Sequence, residues 1–417
     1  MTAVSTALHG TGDDALRQRA ANVVPGGMYG HLSVQRLPAG YPQFWARGDG
    51  ARIWDVDGRE YVDFMCSFGP ILLGHAHPVV DAAAKAALDG GDVFNGPAPV
   101  MVDLAERLVD NVAHADWVMF AKNGTDATQL AVVVARAATG RSKVLIARGS
   151  YHGIGGWSLG PDAVGMTPQD YANTIYFEYN DLASVESAVA LAGDDVAAIV
   201  VTPIRHDVFR DLEAPAPEFA RGVRALCDRL GAALVVDDVR CGLRLDTRGS
   251  WEALGVRPDL SAWSKSLANG HALAALMGAD GLRDAATRVT ATGSFWMAKA
   301  PMAAAMATLD VLEQEDGISR MRAAGQRLQD GLREQAVAHG LTVTVSGPPQ
   351  LPFLSFADDP GFAKAMTWAG ACAQHGVYLH PVHNWFLSTA HDAGTIDRAL
   401  EGTDAAFAIV ADQHGAA

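Results

Sequence analysis

The stretch APEFARGVRALCDRLGAALVVDD, residues 216–238, decides the reading of the fold. Its first sixteen residues form an amphipathic helical pattern that Gly231 closes. The run AALVVDD that follows is short, apolar and ends in two acids, as a buried strand does when it leaves a sheet for a polar loop. The same rhythm continues on the N-terminal side. VMVDLAERLVDNVA is helical, DWVMFAK strand-like, and DATQLAVVVARAATG helical again with a glycine stop, while KVLIA and AAIVV have the buried-strand pattern. Such alternation predicts an α/β fold around a mostly parallel sheet.

Outside this region the pattern changes. ARIWDVDGREYVDF predicts two short strands around an Asp-Gly turn. After Pro301 the chain turns helical and closes with two strand-like runs, LTVTVSG and PFLSFA, and a last helix near residues 394–411. The expected organisation is a large domain over residues 71–305, flanked by a smaller α+β domain built from residues 1–70 and 306–417.

Bulk properties narrow the function. The chain has 417 residues, 49% of them hydrophobic, enough for one large core and a second layer. A formal net charge of −15 argues against nucleic acid or an anionic membrane as partner, so any anion must be held by backbone amides and a few basic groups. The four cysteines, Cys66, Cys227, Cys241 and Cys372, lack CxxC spacing; they fit a reduced cytoplasmic setting and no metal site is expected. The opening residues carry no basic segment followed by an apolar one, and no long apolar run suggests a membrane span.

Ligands of open α/β sheets bind beyond the carboxyl ends of the strands, so the residues following each strand-like run are the candidates. These are KNGTDA, RGSYHG, TPIRHD, DDVRCG and SKSLANG. Asn123, Gly124 and Thr125 open a helix and suit a phosphate, though the same residues make a routine turn and N-cap. Tyr151, with His152 beside it, could stack on a flat ligand. Asp237 could face a cationic ring nitrogen or simply a loop, and Lys265 sits among small and apolar residues where an ammonium is costly. Desolvation would make that lysine a neutral amine able to form a Schiff base with an aldehyde. A phosphate cradle, an aromatic, a carboxylate and a buried amine on successive strand ends are together what pyridoxal 5'-phosphate requires.

With these motifs assembled, the sequence resembles the class III aminotransferases of fold type I, on the side of the glutamate-1-semialdehyde aminomutases. VDFMCSFGPILLGHAHP, NGTDA, YHG, VVDDVRCGLR and SKSLANG carry the resemblance, which spans the chain from VPGGM near residue 24 to FLSTAHDAGTID near 397. It implies that Lys265 forms the Schiff base and moves the α-proton, that Asp237 holds the pyridine nitrogen protonated, and that Tyr151 stacks on the ring. It also implies a homodimer in which Ser294 reaches a phosphate across the interface. An amino donor and a carbonyl acceptor are the implied small-molecule partners.

The departures concern the substrate. Thr202-Pro203-Ile204 replaces Glu-Pro-Val, Asp238 replaces a glutamate, and Arg240 and Cys241 fill positions usually uncharged or threonine. MYGHLSVQR puts Ser33 where the aminomutases carry an arginine, with Arg36 close by. VHNWF, with His383 and Trp385, replaces a glutamate-bearing segment. Thr202, Arg36, Arg240, His383 and Trp385 are therefore the candidate substrate residues. An aminotransferase is the leading expectation. An aminomutase or amino-acid racemase shares the chemistry, and a non-catalytic cofactor-binding protein is the remaining alternative.

Overall fold

The computed structural model describes residues 10–414 and divides into two compact units. One takes in the described residues of Met1–His77 and Ser319–Ala417, with the short piece Val208–Leu212; the other holds Pro78–Asp207 and Glu213–Ile318.

In the first unit, β1 (Trp45–Asp49), β2 (Arg52–Asp55) and β3 (Glu60–Asp63) make an antiparallel meander, with β2 and β3 joined through Asp57-Gly58 as the Asp-Gly signal predicts. The second unit is built on a seven-stranded sheet. Its strands are β4 (Trp117–Ala121), β5 (Lys143–Ala147), β6 (Thr174–Phe177), β7 (Val196–Val201), β8 (Ala233–Asp237), β9 (Leu260–Trp263) and β10 (Ala274–Gly278), in the order β4-β10-β9-β8-β7-β5-β6. Back in the first unit, β11 (Val343–Ser346) and β12 (Phe353–Phe356) form a hairpin, and β13 (Val377–Tyr378) pairs in parallel with β3.

Within the large sheet only β10 runs against the rest, pairing antiparallel with both β4 and β9. The strands β5 to β9 pair in parallel, so β4, β5, β7, β8 and β9 all end on one edge. Both faces are covered. Ala198, Val200, Val235 and Ala262 pack on one side with the helix Gly124–Thr139, while Ile199, Val201, Leu234 and Val236 pack on the other with helices Leu182–Ala192 and Pro217–Leu230. Successive strand residues thus serve opposite cores, which is why these strands read as unbroken apolar runs. Among the described residues no helix is long and apolar enough to cross a membrane.

Candidate active site

The five strand ends sharing one edge are those followed by the polar segments singled out in the sequence. Asp237 is the last residue of β8, and its register partner on the neighbouring strand is Ala262, three residues before Lys265. The Asp237 carboxylate is 6% exposed. One oxygen accepts the Val239 N–H at 3.2 Å, and the other lies 2.7 Å from Nδ1 of His152 in the loop after β5. His152 is fully enclosed: its ring stacks on Trp157 at 5.9 Å between centroids, and its carbonyl accepts the Thr128 hydroxyl at 2.7 Å. Its Nε2 is buried without a hydrogen-bond partner in the protein. An Nδ1–H directed at the carboxylate satisfies Asp237 and fixes the tautomer.

Lys265 follows β9 on a backbone turned to φ 23°. Its surface is only partly covered, yet its amine lies among protein atoms and near like charges. Burial first, then the Arg240 and Arg244 guanidinium groups, brings its pKa from 10.5 to about 7, against the opposing pull of Asp237 and Cys241. Lys265 is therefore an amine with a substantial neutral fraction near neutral pH. Its segment is latched to the turn after β8, because Ser266 donates its hydroxyl to the Gly242 carbonyl at 2.7 Å.

The candidate anion cradle is the start of the helix Gly124–Thr139. Asp126 accepts the N–H groups of Lys122 and Asn123 at 3.2 and 2.9 Å, which holds the entry in shape. The N–H groups of Gly124 and Thr125 belong to the first helical turn and have no acceptor within the helix. Both flanks are tight. A Cβ on Gly124 would meet Val239 at 2.9 Å, and one on Gly153, whose φ is +98°, would meet Thr125 Oγ1 at 2.4 Å. Tyr151, in the loop next to His152, is 54% exposed, with a phenol held above its ordinary pKa by partial burial. A loop with no room for side chains at a helix N-terminus, a neutralised amine and a buried carboxylate paired to histidine suit the phosphate, aldehyde and ring nitrogen of pyridoxal phosphate.

Other expected residues fall in varied places. Thr202 is buried at the end of β7, where its carbonyl accepts the Tyr179 hydroxyl at 3.2 Å. Arg240 is 8% exposed, with Nη1 donating to the His206 carbonyl at 3.5 Å. Ser294 lies on an exposed turn before the helix Lys299–Gln314. In the other unit Arg36 is exposed, and His383 is half-buried with Nδ1 2.6 Å from the Asn384 carbonyl. Trp385 differs from expectation as a substrate residue. It is 1% exposed, stacked on Trp368 and donating its indole N–H to the His380 carbonyl, so it is core and has no surface to offer. Trp157, Thr128, Arg244 and Ser266 were not among the expected site residues. Arg244 and Ser266 lie inside the VVDDVRCGLR and SKSLANG motifs but their roles, like those of Trp157 and Thr128, depend on contacts distant in sequence.

The family model for aminotransferase class-III matches residues 37–391. An aminopentol aminotransferase of Sphingopyxis macrogoltabida is 47% identical over 402 residues, covering 96% of this chain and 95% of that protein. A glutamate-1-semialdehyde 2,1-aminomutase of Bordetella avium is 34% identical, covering 95% and 98%. Among solved structures, the PLP internal aldimine form of the FumI protein of Sphingopyxis sp. MTA144 superposes with a TM-score of 0.94 at 47% identity, covering 95% of this chain and 96% of that one. An omega-transaminase from Sphaerobacter thermophilus gives 0.88 at 26% identity, covering 96% and 98%. With a cradle, carboxylate and amine on one sheet edge and a family match along most of its length, the chain belongs to the class III aminotransferases.

Proposed function

We propose that this pyridoxal-phosphate-dependent aminotransferase takes its amino group from a hydroxylated amine of the aminopentol kind and delivers it to a keto acid or aldehyde. The observation that carries the chemistry is the Lys265 amine, held near a pKa of about 7 beside the Asp237–His152 pair. The 47% identity to an aminopentol aminotransferase supports the donor class.

Bound at this edge, pyridoxal phosphate supplies a conjugated ring that accepts the electrons released when a C–H bond beside the substrate nitrogen breaks. The protein's part is assigned as follows. The Gly124 and Thr125 amides hold the phosphate at the helix N-terminus. Asp237 would face the ring nitrogen, and His152 fixes that carboxylate by its 2.7 Å contact. Tyr151 offers an exposed aromatic face for stacking. Lys265 Nζ, neutral in good part at neutral pH, takes the proton from the donor carbon and returns it to a neighbouring position.

A homodimer is part of the same reading. Support comes from the exposed apolar side chains Phe94, 49% exposed, and Phe295, 67% exposed, the latter next to Ser294. A cytoplasmic location is supported by four buried cysteines, none of them in a disulfide. The aminomutase relatives favour a second reading, in which the amino group returns to the same molecule.

The test follows both outputs. An absorbance band of the bound cofactor in the wild type, absent in Lys265→Ala, with keto product formed from an aminopentol donor, is the expected result. Isomerisation of the donor without any keto product would replace this reading by the aminomutase one. A protein that neither holds the cofactor nor moves an amino group would sink both.

A further inference from the structure

The two cations that act on Lys265, Arg240 and Arg244, differ in their standing. Arg244 occupies the arginine position of the family-like VVDDVRCGLR segment, whereas Arg240 stands where the resembled segment is uncharged. Arg240 is therefore a charge that the resembled segment does not carry. We propose that Arg240 is a positioning residue that governs the charge on the Lys265 nitrogen and so sets the pH range in which the site works.

The geometry couples the two residues. Arg240 lies three residues beyond Asp237, in a turn closed by the Gly242 N–H donating to the Asp238 carbonyl at 2.8 Å. The Ser266 hydroxyl ties the Lys265 segment to the Gly242 carbonyl of that turn. Gly242 also lies against Trp263, the last residue of β9: a Cβ there would sit 2.6 Å from the indole ring. The turn bearing Arg240 and the turn bearing Lys265 are thus latched to each other at Gly242, which keeps the two residues on adjoining turns.

The groups around the pair come from several elements. Lys265 is faced by Arg240 and Arg244, which disfavour its ammonium form, by Asp237, which favours it, and by Cys241, whose thiol burial keeps protonated. Arg240 is faced by Cys241, Asp237, Asp207 after β7 and Tyr151 after β5. Burial lowers Arg240 itself only to about 10, so it remains a cation at neutral pH. A fixed cation in a water-poor site acts on a neighbouring nitrogen far more strongly than it would in water.

The inference rests on the reading of Lys265 as the cofactor-bearing amine, and the experiment separates the two. The absorbance of bound pyridoxal phosphate changes with the protonation state of the lysine nitrogen it is joined to, so a pH titration of the holoenzyme reads that charge directly. Arg240→Gln keeps a donor for the His206 carbonyl and removes the charge; Arg240→Lys keeps the charge. The expected result is a midpoint about one pH unit higher in Arg240→Gln and within about 0.3 units of wild type in Arg240→Lys. An unmoved midpoint in Arg240→Gln overturns the proposal, as does an equal shift in both variants. A change confined to the KM for the keto acid also overturns it, since Arg240 would then bind substrate. If Arg240→Gln does not retain the cofactor, competitive acetylation of Lys265 in the cofactor-free full chain, followed by mass spectrometry across pH, decides. A higher labelling midpoint than wild type supports the proposal and an equal one overturns it. Failure of the wild type to show the cofactor band would instead sink the cofactor reading.

Discussion

The His152 imidazole and the Asp237 carboxylate meet at 2.7 Å with both side chains buried, one from the loop after β5 and the other from the end of β8. The contact spans 85 residues of sequence and bridges over one intervening strand, β7, so it ties together two strand ends that are not sheet neighbours. Because the stacked Trp157 and the Thr128 hydroxyl hold the histidine in turn, Asp237 has little freedom to swing or to recruit water.

Replacing this histidine should therefore harm activity more than affinity. In His152→Phe the carboxylate loses its buried donor, at a cost of about 1–3 kcal/mol in stability. kcat should fall about 10- to 100-fold with KM for the donor little changed. His152→Asn, which keeps a donor to the carboxylate, should recover part of the loss. Steady-state kinetics and urea denaturation of the two variants check this, and equal damage in both would show that the hydrogen bond to Asp237 is not what matters.

Lys265 should leave a pH signature in the stability of the cofactor-free protein. Its pKa in the fold is about 7, below the ordinary 10.5, so between those values the unfolded chain binds more protons than the native one. Stability contributed by this site must then rise as pH increases from about 7 toward 10, with the full burial penalty present below 7. Lys265→Met removes the penalty. It should be more stable than wild type by a few kcal/mol at pH 6, the gap closing toward pH 10. Thermal unfolding of both proteins across this range is the measurement.

The large sheet was readable in the sequence because β5, β7 and β8 are buried on both faces and appear as unbroken apolar runs. The polar residues after them then pointed to the edge that carries the candidate site. The helix Thr11–Ala21 gave no such signal, for a physical reason: its N-terminal amides are held by Asp57, which accepts N–H groups from Gly10, Gly12 and Asp13. A cap supplied from a distant turn leaves no local signature. The short strands β6 and β13 and the alanine-rich β10 likewise depend on their neighbours. Within the candidate site, residue types singled out the amine, the carboxylate and the proposed cradle. The His152–Trp157 stack and the crowding of Lys265 by Arg240 depend on how strand ends fold back, which single positions do not encode.

Asp238 gives a second pH test, of opposite sign. Burial pushes its carboxyl up to about 7, although Ser250 offers it both hydroxyl and N–H. Between pH 4 and 7 the native state therefore holds a proton that the unfolded state has released, so this group's contribution to stability falls as pH rises through that window and is flat above it. Asp238→Asn has no charge to bury. It should stabilise the protein by about 1–3 kcal/mol at pH 8 and hardly at all at pH 4. An equal effect at both pH values would mean that the side chain's shape, and not its ionisation, matters.

The cradle makes the last prediction. Gly153 has φ +98°, which an L side chain rarely adopts, and its Cα faces Thr125 so closely that a methyl group would sit 2.4 Å from Oγ1 and 2.8 Å from Cα. The second of these atoms is backbone, so rotating the threonine side chain cannot relieve the clash. Gly153→Ala must move either the loop after β5 or the first turn of the helix that offers its amides to the phosphate. The same loop carries Tyr151 and His152, so cofactor retention and the Asp237 contact should suffer together. We expect at least a tenfold weaker hold on pyridoxal phosphate and a loss of about 2–4 kcal/mol in stability. Thr125→Ser, which removes one methyl group while keeping the hydroxyl, should be nearly silent alone and should not rescue the alanine variant. Equilibrium dialysis against pyridoxal phosphate and thermal melts of the single and double variants test this, and rescue by Thr125→Ser would show that the threonine methyl, not the backbone, sets the limit.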